Sequence, residues 1–143
     1  MPRLVSLLLA FGLPCSGALC APVALNPGLY DVTTETLLPH LEENLRYATT
    51  HARQCLDTQD VAALFPLLHH QAFAGCELSQ GIADGPAISF PLACRNPEAA
   101  SGVARLTLEP DRLLGVLEIK MGGKNMTLSQ RVTGPRLGPC TAR

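Results

Sequence analysis

The sequence predicts an α+β fold that is mostly β: an antiparallel meander sheet with one short helix against it. From residue 74 onward, apolar residues recur at every second position, which is typical of strands with one buried face. Turn-forming residues interrupt this pattern at three points, so that consecutive strands fold back on one another. A single stretch before residue 74 has helical spacing. We expect a curved sheet of half-barrel type, and the pattern leaves open whether it closes into a barrel.

Two strands and the helix are predicted before this region. Residues 28–34 alternate, with Tyr30, Val32 and Thr34 on one face, and residues 45–54 form a second strand that ends at Cys55. The helix begins at Asp57 or Thr58, either of which can cap it, and Pro66 ends or kinks it. Its apolar stripe consists of Val61, Ala62, Leu64 and Phe65.

Three hairpins follow from the positions of the turns. Folding the chain at Gly85 pairs Cys76 with Cys94, Leu78 with Leu92, Gln80 with Phe90, and Ile82 with Ile88. Folding at Pro110 and Asp111 pairs Leu108 with Leu113, Leu106 with Gly115, and Ala104 with Leu117. Folding at residues 122–125 pairs Met121 with Met126, Ile119 with Leu128, and Leu117 with Gln130. All three registers place the apolar residues on one face, which predicts a sheet with one buried and one solvated side.

The first residues are typical of a signal peptide. Arg3 supplies a positive charge, and an apolar run follows from Leu4 to Leu13. That run is too short to cross a bilayer, which needs ~20 residues, and small residues follow it at positions that a signal peptidase reads. We therefore assign residues 1–20 to a signal peptide and residues 21–143 to one domain, in the periplasm or secreted, with no membrane span after signal removal.

Cysteine usage supports export and predicts two disulfides. Two of the six cysteines lie in or beside the signal, which leaves Cys55, Cys76, Cys94 and Cys140. An even number in a small exported domain indicates a disulfide framework. Directly opposed residues of an antiparallel pair lie within disulfide range, so the first hairpin predicts Cys76–Cys94 and leaves Cys55–Cys140.

Composition excludes some partners. The formal net charge is -1 and aromatic residues make up 4% of the 143 residues, so neither a basic field for nucleic acid nor a stacking platform is expected. The length fits one domain. No phosphate loop or hydrolase motif is present, and no cofactor is predicted.

Two side-chain pairs are candidates for chemical sites. His69 and His70 are adjacent in sequence, so they point apart on a helix or strand and are more typical of a solvated loop than of a metal site. Met121 and Met126 have thioethers that suit copper(I), but at a hairpin turn on the apolar face they are more typical of a core. We predict no catalytic and no metal residue.

Several short motifs resemble one family. They are Pro27-Gly28-Leu29-Tyr30-Asp31-Val32, Gln54-Cys55-Leu56-Asp57 followed by Asp60, Gly123-Lys124-Asn125-Met126-Thr127, and the ending from Gly134 to Cys140. In order and spacing they resemble an exported bacterial family known as domain of unknown function 3617. The chain departs from it in having Tyr30 where the family has tryptophan, and in having fewer methionines in its last strands. The resemblance implies a periplasmic or secreted protein and no established reaction.

Three functions remain open from the sequence. The first is a non-catalytic binding or envelope-accessory module, whose sheet holds a small apolar ligand or an exposed strand of an envelope protein. An apolar cavity lined by Leu106, Leu117, Ile119 and Leu128 would favour it. The second is a small hydrolase-like enzyme that uses His69 or His70. The third is a copper-binding module that uses Met121, Met126 and a histidine.

Overall fold

The computed structural model describes residues 26–39, 47–56, 61–122 and 126–141. The described residues form eight strands: β1 Gly28–Leu37, β2 Tyr47–Leu56, β3 Cys76–Leu78, β4 Ile82–Asp84, β5 Ala87–Cys94, β6 Ala100–Glu109, β7 Arg112–Met121 and β8 Met126–Gly138. They make one antiparallel sheet in the order β2-β1-β8-β7-β6-β5-β3, and β4 also pairs with β5. The sheet is curled into a half-barrel, which confirms the predicted fold class. The predicted signal peptide, residues 1–20, lies outside the described residues.

The second and third hairpins have the predicted registers. Every predicted pair between β6 and β7, from Leu108↔Leu113 to Ala104↔Leu117, is present. The same holds between β7 and β8, from Met121↔Met126 to Leu117↔Gln130. Residues 123–125 of the third turn lie outside the described part of the chain.

The first hairpin follows its predicted register in only one half. Cys76 lies opposite Cys94 and Leu78 opposite Leu92, as expected. The predicted pair of Ile82 with Ile88 is wrong, because Ile82 lies opposite Ser89 and its side chain is exposed. Gln80 is outside both β3 and β4, so its predicted pairing with Phe90 is also absent. The turn has two residues, closed by Asp84↔Ala87, and this shifts the register by one position.

The helical stretch forms 3₁₀ turns in place of the predicted helix. We call residues 61–74 the 3₁₀ segment; its turns are Ala62–Leu64, Pro66–His69 and Gln71–Phe73. Phe65, which precedes Pro66, has φ -117° and ψ 85°, outside the helical region. A proline disfavours the helical conformation of the residue before it, so a continuous helix cannot pass this point. The predicted caps Asp57 and Thr58 lie outside the described residues.

One face of the sheet carries the core. Along β1 the buried residues alternate as predicted, with Tyr30, Val32 and Thr34 buried. The 3₁₀ segment lies on this face and buries Leu64, Phe65 and Phe73 against it. The remaining buried apolar residues are Leu56, Leu92, Ala100, Ala104, Leu106, Leu113, Leu117, Ile119 and Val132. The half-barrel is therefore filled by side chains and by the 3₁₀ segment.

A buried glutamine joins the 3₁₀ segment to the sheet. Gln130 is 3% exposed; its Oε1 accepts from the N–H of Leu67 at 3.2 Å, and its Nε2 donates to Thr36 Oγ1 at 2.7 Å. A buried polar group has to be paired, because an unpaired one loses its hydrogen bonds to water without replacement. Gln130 thus connects β8, β1 and the 3₁₀ segment at one point.

The four cysteines of the domain pair as the sequence predicts. Cys76 and Cys94 form one disulfide, and Cys55 and Cys140 form the other. The second bond joins β2 at the edge of the sheet to the residues that follow β8. Since β1 lies between these two strands, the bond spans three neighbouring strands at one end of the sheet.

Candidate functional site

A cleft lies between the 3₁₀ segment and the β3 end of the sheet. Its volume is about 380 Å³. The lining residues are Val61, Ala62, Leu68, His69, Cys76, Glu77, Leu78, Ser79, Gln80, Gly81 and Phe90. This volume and a mainly apolar lining with a few polar groups are typical of sites for small ligands.

The break between β3 and β4 forms one wall of the cleft. Residues 79–81 belong to neither strand, although the N–H of Ser79 still donates to the carbonyl of Pro91 at 2.7 Å. Gly81 has no side chain, so its backbone can lie close to the side chains of Phe90 and Ile88 at this wall. A Cβ there would lie 2.6 Å from Cε1 of Phe90 and 2.7 Å from Cγ2 of Ile88, so any other residue would displace these side chains. With glycine at this position, the ring of Phe90 stays in place and lines the cleft.

The predicted histidine pair is divided by the structure. His69 lines the cleft and is exposed. His70 caps the last 3₁₀ turn, because its Nδ1 accepts from the N–H of Ala72 at 3.1 Å. Among the described residues, no hydrogen bond joins the His69 ring to the one carboxylate of the cleft, that of Glu77. The two rings therefore do not form one site.

Three of the motifs meet at the opposite end of the sheet. Tyr30 lies opposite Gln54 on β2 and opposite Arg136 on β8. The Tyr30 hydroxyl donates to the carbonyl of Asn26 at 2.6 Å, and Nε and Nη2 of Arg136 donate to the carbonyl of Pro27 at 3.1 and 2.9 Å. These bonds hold the chain that leads into β1, which is a structural role.

The environment of Tyr30 agrees with that role. Burial raises the pKa of the Tyr30 hydroxyl above its ordinary value; the Arg136 guanidinium opposes this increase and the Asp111 carboxylate adds to it. The hydroxyl is therefore a stable hydrogen-bond donor at neutral pH.

A comparison with family models identifies the family. A family model with the description "Protein of unknown function (DUF3617)" matches residues 25–140. The chain belongs to this family. No curated protein and no solved structure matches it. The match confirms the resemblance drawn from the motifs.

The four residues whose apolar cavity would favour a binding module lie in the core and along a surface groove of this DUF3617 protein. Leu106 and Leu117 are buried in the core. Ile119 and Leu128 instead border a groove of about 480 Å³, which residues of the opposite face, such as Leu37 and Glu118, also line. The four residues thus do not surround one space, and the cleft beside β3 was not predicted.

The two methionines of the DUF3617 chain face each other on the core side of the sheet. Met121 lies opposite Met126 and packs against the core. Within the described ranges, no group of three or more His, Cys, Asp or Glu side chains is placed to hold a metal ion. Thioether ligands are not among these side chains, so the copper hypothesis stays a prediction from the sequence.

The disulfides bear on the compartment in which this DUF3617 protein works. Two disulfides in a small domain fit an oxidising environment such as the periplasm or the extracellular space. In the part of the chain that the structure describes, no helix is both long and apolar enough to cross a membrane.

Proposed function

We propose that the protein is exported to the periplasm or secreted, and that it works there as a non-catalytic binding module. The cleft between the 3₁₀ segment and β3 is the binding site, and it takes a ligand with an apolar group. The observation that carries this proposal is the cleft itself: about 380 Å³ of space lined by five apolar residues at the border of a packed core. Burial of an apolar group there contributes roughly 25 cal/mol per Å² of surface removed from water.

The chemistry of the lining supports binding over catalysis. A general base needs an orienting partner and a reacting atom within hydrogen-bond reach. His69 has no such partner among the described residues, and His70 is occupied by the cap of the last 3₁₀ turn. The hydrolase-like alternative therefore keeps one residue, His69, which lies in the cleft.

Export predicts a processed N-terminus. The apolar run from Leu4 to Leu13 and the small residues after it are the features that a signal peptidase recognises. We expect the mature chain to begin between Leu19 and Pro22. To test this, the protein is expressed in a bacterium and the periplasmic fraction is isolated. N-terminal sequencing then identifies the first residue of the mature chain. Recovery of the chain with Met1 still in place would contradict export with cleavage.

Filling the cleft is expected to abolish binding. Ala62 lines the cleft and is half-buried, so Ala62→Phe places a ring in the space. The neutral apolar fluorophore N-phenyl-1-naphthylamine is the probe, and its fluorescence rises when it leaves water. We expect the variant to bind it at least tenfold more weakly than the unchanged protein.

Ala93→Phe is the matched control. Ala93 is exposed on β5 and does not line the cleft, so this variant adds the same ring elsewhere. It should bind the fluorophore like the unchanged protein. Equal binding by the Ala62→Phe variant would show that the fluorophore binds at another place, and no binding by any of the proteins would remove the support for a ligand site.

A further inference from the structure

One border of the cleft is the edge of a strand. Six consecutive residues, 76–81, line it. One face of a strand presents only alternate residues, so an unbroken run shows that the edge of β3 and its continuation border the space. At ~3.3 Å per residue, the three residues of β3 contribute about 10 Å of this border. Among the described strands, β3 is the last of the sheet and has a partner on one side only, which is β5.

The register shows which backbone groups lie on that edge. The N–H of Arg95 donates to the carbonyl of Gly75 at 3.0 Å, and the N–H of Ser79 donates to the carbonyl of Pro91 at 2.7 Å. Hydrogen-bonded pairs alternate with non-hydrogen-bonded pairs in an antiparallel ladder. Cys76 and Leu78 therefore occupy non-hydrogen-bonded positions, and their N–H and C=O groups point away from β5.

We infer that the ligand of the cleft is an extended peptide segment, which adds to β3 as a further strand and places an apolar side chain against Leu68, Leu78 and Phe90. This inference rests on the proposed function, since it names the ligand class of the same site. The N–H and C=O groups of Cys76 and Leu78 repeat at every second residue, and an extended peptide presents complementary groups at the same spacing. An apolar molecule without a peptide backbone could not form hydrogen bonds with these N–H and C=O groups, which would then be bonded only to water.

Charge complementarity selects the residues that flank the apolar side chain of the peptide. Among the described residues that line the cleft, Glu77 carries the one formal charge, on its carboxylate. Glu77 is exposed on the face opposite to Cys76 and Leu78, so it meets side chains that point away from the apolar pocket. The favoured segment thus alternates apolar with basic residues.

A set of four synthetic peptides tests strand addition. The parent is an acetylated and amidated nine-residue peptide that alternates valine and lysine. Two derivatives carry N-methyl groups on all valines or on all lysines, and each blocks one edge of the extended peptide; a third carries both sets and blocks both edges. We expect at least one single-edge derivative to bind like the parent, and the fully methylated peptide to bind at least tenfold more weakly by calorimetry. A fully methylated peptide with the affinity of the parent would overturn the inference.

The protein side is tested at Leu78. Proline is tolerated in an edge strand where its nitrogen faces away from the ladder. Leu78→Pro therefore removes an N–H that β5 does not use, and Leu78→Ala removes the leucine side chain but keeps that N–H. We expect Leu78→Pro to bind the parent peptide at least fivefold more weakly than Leu78→Ala, with both folded by circular dichroism. If Leu78→Pro does not fold, the peptide set decides the matter by itself.

Two further results separate this inference from the proposed function. A peptide that alternates valine and glutamate should bind at least fivefold more weakly than the parent, and equal binding would contradict the choice of a basic segment. If the fluorophore binds in the cleft but N-methylation of the peptide has no effect, the proposed function stands and strand addition fails. If neither the fluorophore nor any peptide binds, both fail.

Discussion

Replacing both Cys55 and Cys140 by alanine is expected to lower the free energy of unfolding by about 4–5 kcal/mol. The two residues are 85 positions apart, and the entropy of the unfolded chain rises with the length of the loop that is released. Cys55 lies near the end of β2, where all residues but Gln54 and Leu56 are exposed, so little packing remains to hold this edge strand. Urea denaturation followed by circular dichroism measures the change.

The other disulfide provides the comparison. Cys76 and Cys94 are 18 positions apart, for which the same model gives about 3 kcal/mol, so the double alanine variant should lose less stability. Peptide mapping without reduction first establishes the pairing in the unchanged protein. A larger loss for the Cys76 and Cys94 variant would show that loop length does not determine the contribution of these bonds. A peptide that joins Cys55 to Cys76 would overturn the pairing itself.

The two later hairpins could be predicted because turn and strand pattern agree there. Pro110 and Asp111 form a turn between strands of ten residues each, and the core-facing pairs Ala104↔Leu117 and Leu106↔Gly115 place apolar or small residues opposite each other. A shift by one residue would turn all these side chains to the other face of the sheet, so one register is strongly preferred.

The first hairpin has two parts that require different registers. The Cys76↔Cys94 pair requires one register, and the two-residue turn after Asp84 requires a register shifted by one position. β3 keeps the first register and β4 keeps the second. The irregular residues 79–81 lie between them, where the register changes by one residue. The sequence contained a signal for this break, since Ser79, Gln80 and Gly81 interrupt the apolar alternation. The apolar side chains of Ile82 and Ile88 mask this signal, because they would pair if the Cys76↔Cys94 register continued unbroken.

The cleft was missed because it depends on two departures from regular structure. One is the break between β3 and β4, and the other is the replacement of the expected helix by short 3₁₀ turns before and after Pro66. Neither creates a cleft alone: the space forms where the 3₁₀ segment packs beside the shortened edge strand. Sequence periodicity describes single elements, and it does not report how two irregular elements leave a gap between them.

The 3₁₀ segment contacts β7 of the sheet through Phe65. This side chain is fully buried and lies over Gly115 of β7, where a Cβ would come within 3.0 Å of its Cζ. Gly115 thus provides the space for the ring. The wall of the cleft formed by Val61, Ala62 and Leu68 belongs to the same segment, so its position depends on this contact.

Phe65→Ala is therefore expected to affect both stability and binding. Removal of a buried phenylalanine costs about 3–5 kcal/mol, and the cleft should lose its affinity for N-phenyl-1-naphthylamine at least tenfold at temperatures where the sheet is still folded. Phe73→Ala is the control, because Phe73 is also buried but lies in the last turn of the segment, whereas Phe65 lies between the residues of the segment that line the cleft. It should lose comparable stability and keep most of the affinity, as measured by thermal unfolding and fluorescence titration. Equal loss of affinity in both variants would indicate that binding follows global stability, whereas an unchanged Phe65→Ala protein would show that other contacts hold the segment in place.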